Sequence, residues 1–231
     1  MSNQNMTDYT QIGQSISTQE VILSKTYKLL ALSFLPCAAG AVVGMFFNPF
    51  LMLFSSNFWV GVIAFFGFFY GMCFLIEKNR YSNVGVALLM VFTFGMGMML
   101  TPVLALAMTG GTGGKLVATA AVMTAAIFFA MAAMARRANI NTLALGNFLA
   151  IGAIVLMIGV VANLFLQLSV LSLALAGLFV IFSSLLIMWQ VRNVIEGGED
   201  SHISAALTIF IAIYNLFTSL LRILMALSGN D

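Results

Sequence analysis

Residues 202–231 read HISAALTIFIAIYNLFTSLLRILMALSGND, and the run Ile203–Leu227 within them decides the fold. At about 1.5 Å per helical residue, its 25 residues cross a hydrocarbon core of roughly 30 Å with some tilt. Its polar residues do not scatter. Ser204, Thr208, Asn215, Ser219 and Arg222 are spaced by 4, 7, 4 and 3, so they share one face of a helix. A helix with one polar stripe amid lipid turns that stripe toward other protein or a water-filled cavity. The expectation is a helix near the centre of a bundle, with the other runs packed around it.

The composition agrees. Of 231 residues, 62% are apolar and 7% charged, and the mean hydropathy is +1.09. A soluble domain carries about 25% charged residues, so this chain could not cover a water-facing surface. The net charge of +2 is too small, and the nine basic residues too dispersed, for a nucleic-acid partner. Cys37 and Cys73 each sit inside an apolar run and read as buried bystanders. No CxxC, His cluster or metal-ligand spacing occurs, so neither a metal nor a cofactor is expected.

Seven apolar runs are present: Leu29–Phe47, Phe58–Ile76, Val84–Met108, Leu116–Met134, Leu143–Phe165, Leu168–Met188 and Ile203–Leu227. The fold class expected is an all-α integral membrane protein with seven transmembrane helices, six surrounding a central seventh. The connections are short, so successive helices are antiparallel. The fifth and sixth runs meet at the weakest boundary, where Asn163 and Gln167 mark the expected break. Ahead of the first run, Met1–Ser24 is polar with Asp8 and Glu20 as its only charges, and lacks the features of a cleaved signal peptide. It reads as a flexible cytosolic tail (1–24) ahead of a transmembrane domain (25–231).

Charge counting orients the bundle. Lys25, Lys28, Lys78, Arg80, Arg136, Arg137 and Arg192 fall on one side, leaving only Lys115 and Arg222 of the nine basic residues for the other. The positive-inside rule then puts the N-terminus in the cytosol and the C-terminus outside. Gly40-x-x-x-Gly44 and Gly67-x-x-x-Gly71 would let helix backbones approach closely, and Pro36 and Pro102 should bend their helices.

Enzyme readings fail on residue types. TGGTGGKL at 109–116 lacks the first Gly and the final Ser/Thr of a phosphate loop. The only histidine, His202, sits at the lip of the last run, and no Asp or Glu lies inside any run. Without an ionisable group at depth there is no general base, and no catalytic residue is assigned. Arg222 either snorkels to the outer interface or lines an outward vestibule. Asn215 bonds to a neighbouring helix or contacts a substrate. In QVRNVIEGGEDSH (190–202), Glu196, Glu199 and Asp200 either complement the dipole of the last helix or attract cations to a pore mouth.

NVIEGGEDSHISAALTIFIAIYNLFTSLLRIL (193–224), together with Gly97-x-x-Leu100-x-Pro102 and Gly159-Val-Val-Ala-Asn-x-Phe-Leu-Gln167, resembles the Bax inhibitor-1 family, in particular its proteobacterial YccA branch. The likeness runs from about Lys25 to the C-terminus. It implies a multi-pass protein of the bacterial cytoplasmic membrane whose seventh helix is ringed by the other six. Channel members of the family leak calcium under control of an aspartate pair, and the matching positions here are Gln190 and Ala212, neither of which ionises. The basic residue facing that pair corresponds to about Asn79, with Arg80 next to it. The YccA branch implies instead a binder and modulator of the membrane-anchored AAA protease FtsH, with the N-terminal tail as the segment gripped. The alternative is an ion or calcium leak along the central stripe.

Overall fold

The computed structural model describes residues 18–109, 112–137 and 140–229, with the helical backbone of residues 2–17. Among the described residues eight helices follow in order: α1 (Ser2–Phe46), α2 (Pro49–Ser56), α3 (Phe58–Lys78), α4 (Asn83–Met108), α5 (Gly113–Arg137), α6 (Thr142–Leu166), α7 (Ser169–Ile195) and α8 (His202–Leu227). No strand occurs among the described residues. Seven stretches are long and apolar enough to span a bilayer: Thr18–Phe46 of α1, and α3 to α8. They coincide with the seven runs, as an all-helical membrane protein requires. The side chains of residues 1–17, most of the expected tail, lie outside the described residues. Residues 18–24 are helical and Leu23 is buried, so packing begins before Leu29.

Helix ends follow local chemistry. The side-chain oxygens of Asn57, Asn141 and Ser201 accept the first free amides of α3, α6 and α8. The break between α6 and α7 falls at Gln167, whose backbone is left-handed at φ 49° and whose amide closes on the Asn163 carbonyl. A non-glycine residue there costs roughly 1–2 kcal/mol, which marks a forced turn rather than a continuing helix.

α8 packs directly against α1, α3, α4, α5 and α7. The sixfold ring needs one correction: α6 packs along α7 alone, apart from a ring contact between Phe165 and Trp59 of α3 at 5.2 Å. The physical reason is that lipid tails are as apolar as leucine. The exposed face of α6, carrying Phe148, Ile151 and Ile158, gains nothing by moving inward.

α1 and α4 make the closest pair. A Cβ on Gly40 would strike the Phe94 carbonyl, one on Gly44 the Thr101 hydroxyl, and one on Gly97 the Cys37 carbonyl. Gly67 and Gly71 meet nothing within 4 Å, so of the two glycine pairs only the first is used inside the chain. Thr101 Oγ1 donates to the Ala41 carbonyl at 3.2 Å across this seam.

Pro102 has no amide to give the carbonyl four residues back, which is that of Met98. Asn48 Nδ2 donates to that carbonyl at 2.8 Å, while its Oδ1 accepts from Leu51 N at 3.0 Å and starts α2. One buried side chain thus repairs the proline break and caps the next helix. We expect Asn48→Ala to lower the melting temperature in mild detergent by about 5 °C, from a loss of roughly 1–3 kcal/mol. In a Pro102→Ala background, where the restored amide bonds Met98, the same substitution should cost clearly less; equal costs would refute the assignment.

Candidate functional site

The connections at one end of the bundle are joined by a polar network centred on the α7–α8 loop. Arg80, following α3, donates through Nη2 to Glu199 Oε1 at 2.9 Å and to Asp200 Oδ1 at 2.7 Å. Its Nη1 lies 3.6 Å from Glu77 Oε2. The Tyr81 hydroxyl donates to the same Asp200 oxygen at 2.8 Å, and its ring lies 5.0 Å from the Arg80 guanidinium. Ser201 ties the loop down a second time. Its Oγ donates to the Arg80 carbonyl at 2.7 Å and accepts from Ile203 N and Ser204 N, the first amides of α8.

The other half of the loop is fastened to the α5–α6 connection. Arg192 Nε donates to Glu196 Oε1 at 2.6 Å, Thr142 Oγ1 donates to Glu196 Oε2, and Trp189 Nε1 donates to the Thr142 carbonyl at 3.0 Å. Gly197, at φ 79°, makes the reversal that lets both halves reach their partners.

Each carboxylate of the loop is therefore engaged. The three acids were expected to complement the α8 dipole or to draw cations; in the structure they pair with Arg80 and Arg192, Glu199 Oε1 also accepts from Ser201 N at the start of α8, and the Ser201 hydroxyl caps the helix. The hydroxyls of Tyr81 and Thr142 and the two guanidiniums hold Asp200 and Glu196 below the usual carboxylate range, the hydroxyl bond being the larger cause in each case. Arg80, the neighbour of the position weighed from sequence, is the residue that does the pairing. Its partners were not legible, because they lie about 120 residues away in the chain.

The stripe is distributed. Ser204 is buried and its Oγ donates to Glu77 Oε2 at 2.8 Å, linking α8 to α3. Ser219 is buried, Thr208 and Asn215 are half-buried, and Arg222 is exposed. Among the described residues the side chains of Thr208, Asn215 and Ser219 make no hydrogen bond to another helix. The most deeply buried face of α8 is apolar, through Ile209, Ala212, Leu216 and Leu220, roughly a quarter-turn from the stripe. A cavity of about 900 Å³ lies on a further face, and none of the five stripe residues lines it.

Residues 19–229 match the family described as inhibitor of apoptosis-promoting Bax1. The chain belongs to the Bax inhibitor-1 family. It is similar to an uncharacterized protein of Neisseria meningitidis serogroup B, 55% identical over 226 residues covering 97% of each chain. It is also similar to YccA of Escherichia coli K12, named a modulator of FtsH protease, at 34% identity over 210 residues, 91% of this chain and 92% of that one. The YccA of Escherichia coli O6:H1, named an inner membrane protein, matches to the same extent. This is a YccA-like member of the Bax inhibitor-1 family and a multi-pass membrane protein.

Within this Bax inhibitor-1 chain, Gln190 and Ala212 are both buried and neither lines the cavity. Gln190 Nε2 has no hydrogen-bond partner among the described residues. Also among the described residues, no cluster of His, Cys, Asp or Glu could hold a metal ion.

The loop amides provide the readout, since Gly198 N and Glu199 N both donate to the Asn193 carbonyl. We expect Arg80→Ala to speed their hydrogen exchange by about fivefold or less, the scale of partly exposed ion pairs. Because the folded values of Asp200 and Glu196 are depressed, their stabilisation is complete above the ordinary carboxylate values and is lost as pH falls through the folded ones. Relative to the intrinsic rate, exchange at these amides should stay constant from neutrality to about pH 4 and rise below it. A change centred between about pH 6 and 7 would contradict this assignment.

Proposed function

We propose that this protein binds and modulates an FtsH-type membrane-anchored protease in the inner membrane, acting by association and not by catalysis. The observation that carries the reading is the likeness, across nine-tenths of the chain, to a relative named a modulator of FtsH protease. The residues support it in a second way. The two positions at which the resemblance expects a proton-sensing aspartate pair hold Gln190 and Ala212. An amide and a methyl group share no proton, so the pH-operated leak of the channel members has no sensor here.

In this reading seven basic residues face the cytosol, as the positive-inside rule directs. The N-terminus is then cytosolic, on the side where an ATP-driven protease works. The polar part of Met1–Ser24 ahead of the packed Leu23, with only two charges, is the segment offered to it. The paired α7–α8 loop lies at the same end and keeps the bundle closed while the segment is engaged.

Affinity purification of the full chain in mild detergent should retain FtsH, and deletion of Met1–Ser24 should lengthen the half-life of the protein severalfold. Failure to retain FtsH, both by the wild type and by a form stabilised against turnover, would overturn the reading. In liposomes, calcium flux should be absent or unchanged across about pH 6 to 8, the range in which a shared-proton carboxylate pair would respond. A steep pH dependence would favour the leak channel instead.

A further inference from the structure

The 900 Å³ cavity is a slot whose walls are α1 and α5 and whose floor is α8. The wall on α1 runs from Tyr27 past Phe34 to Ala41, about 21 Å along the helix axis. The facing wall on α5 alternates small residues, such as Ala121, Ala125 and Ala132, with the rings of Phe128 and Phe129. The backbones of α1 and α5 never approach to packing distance among the described residues, so the slot is open sideways between them.

The lining is apolar nearly throughout and becomes polar at one end. There Arg136 projects from the last turn of α5, and the Tyr27 hydroxyl lies beside its guanidinium. The Tyr27 ring is held edge-on against Phe128 with centroids 6.2 Å apart, which fixes where the hydroxyl points. That hydroxyl is buried and, beside a guanidinium that can only donate, its own proton meets no acceptor among the described residues. Arg136 makes no ion pair among the described residues, and no acidic residue lines the slot. An apolar channel that ends in one unpaired cation and one orphaned hydroxyl is complementary to an amphiphile with an anionic head.

We propose that this slot holds one acyl chain of an anionic phospholipid, with the lipid phosphate bonded to Arg136 and to the Tyr27 hydroxyl. The guanidinium fork and the phenol are both donors, and a phosphate presents only acceptors to them. A partner's transmembrane helix would answer the Arg136 guanidinium only if it carried an acid at that depth, whereas an anionic lipid brings its charge to the headgroup level as a matter of course. The slot lies within the usual range of about 300–1,000 Å³ for small amphipathic ligands. The inference stands apart from the FtsH reading, and neither test bears on the other.

The full chain is reconstituted with spin-labelled phosphatidylglycerol or phosphatidylcholine, and the motionally restricted lipid is measured by electron spin resonance. The wild type should hold phosphatidylglycerol over phosphatidylcholine by about fivefold, the worth of one arginine at a headgroup. Arg136→Gln should bring the two lipids level. Arg137→Gln, one residue along and outside the lining, should leave the preference in place. Ala125→Phe should displace both lipids, with Ala121→Phe as a second blocking variant if the first does not melt like the wild type. The proposal is overturned by a wild type without preference, by equal effects of Arg136→Gln and Arg137→Gln, or by a blocked slot that still restrains lipid. A photoreactive group at residue 125 that cross-links a polypeptide rather than lipid would overturn it too.

Discussion

Hydrocarbon offers no water, so the backbone polar atoms of a membrane bundle must find their partners inside the protein, and a side-chain polar atom gains by doing the same. That constraint shapes this chain more than apolar packing does, because lipid competes equally for apolar side chains. Several hydroxyls within the spans turn back on their own helix: Ser33 donates to the Leu29 carbonyl, Thr124 to that of Ala120 and Ser184 to that of Val180. Where a helix is broken by Pro102 no such local answer exists, and Asn48, in the link between α1 and α2, supplies it. Among the described residues the full ion pairs, by contrast, lie at the basic end, on Arg80 and Arg192. There water screens them, and they hold loops together instead of cores.

This division explains how α8 becomes the axis of the bundle. Its body offers small and branched apolar residues that fit among five neighbours, while its start is fastened by Ser201 to the backbone of Arg80 and by Ser204 to Glu77. The same loop reaches the α5–α6 connection through Glu196 and Thr142. Three connections that are distant in sequence therefore share one fastening. The position of α8 is fixed at its first turn by hydrogen bonds and deeper in by shape alone.

The class of fold was legible because run length and charge segregation depend only on local composition. Seven spans, the break near Gln167 and the grouping of the basic residues all follow from that. What depends on long-range pairing was not. Nothing in the order of residues says that Asn48 meets Met98, that Arg80 meets Asp200, or that α6 stands outside the ring. Helical spacing put Ser204, Thr208, Asn215, Ser219 and Arg222 on one face, and such spacing gives an angle without saying what lies opposite. The slot was hidden for a related reason: its lining is drawn from α1, α4, α5 and α8, each of which carries only an ordinary apolar stripe.

The burial of Gln190 and Ala212 bears on what kind of device the bundle can be. A pair of carboxylates at such positions would make helix packing depend on a proton, since two like charges at close range in low dielectric cannot both ionise. A glutamine and an alanine remove that dependence. The exchange leaves the Gln190 amide nitrogen without a partner among the described residues, a penalty of about 1–3 kcal/mol for a buried polar group. In return these two positions take up no proton. The carboxylates held by guanidiniums sit instead at the basic end, where those of Asp200 and Glu196 are depressed below their ordinary range. Neither position can therefore drive a proton-dependent change of packing, in keeping with the association proposed above.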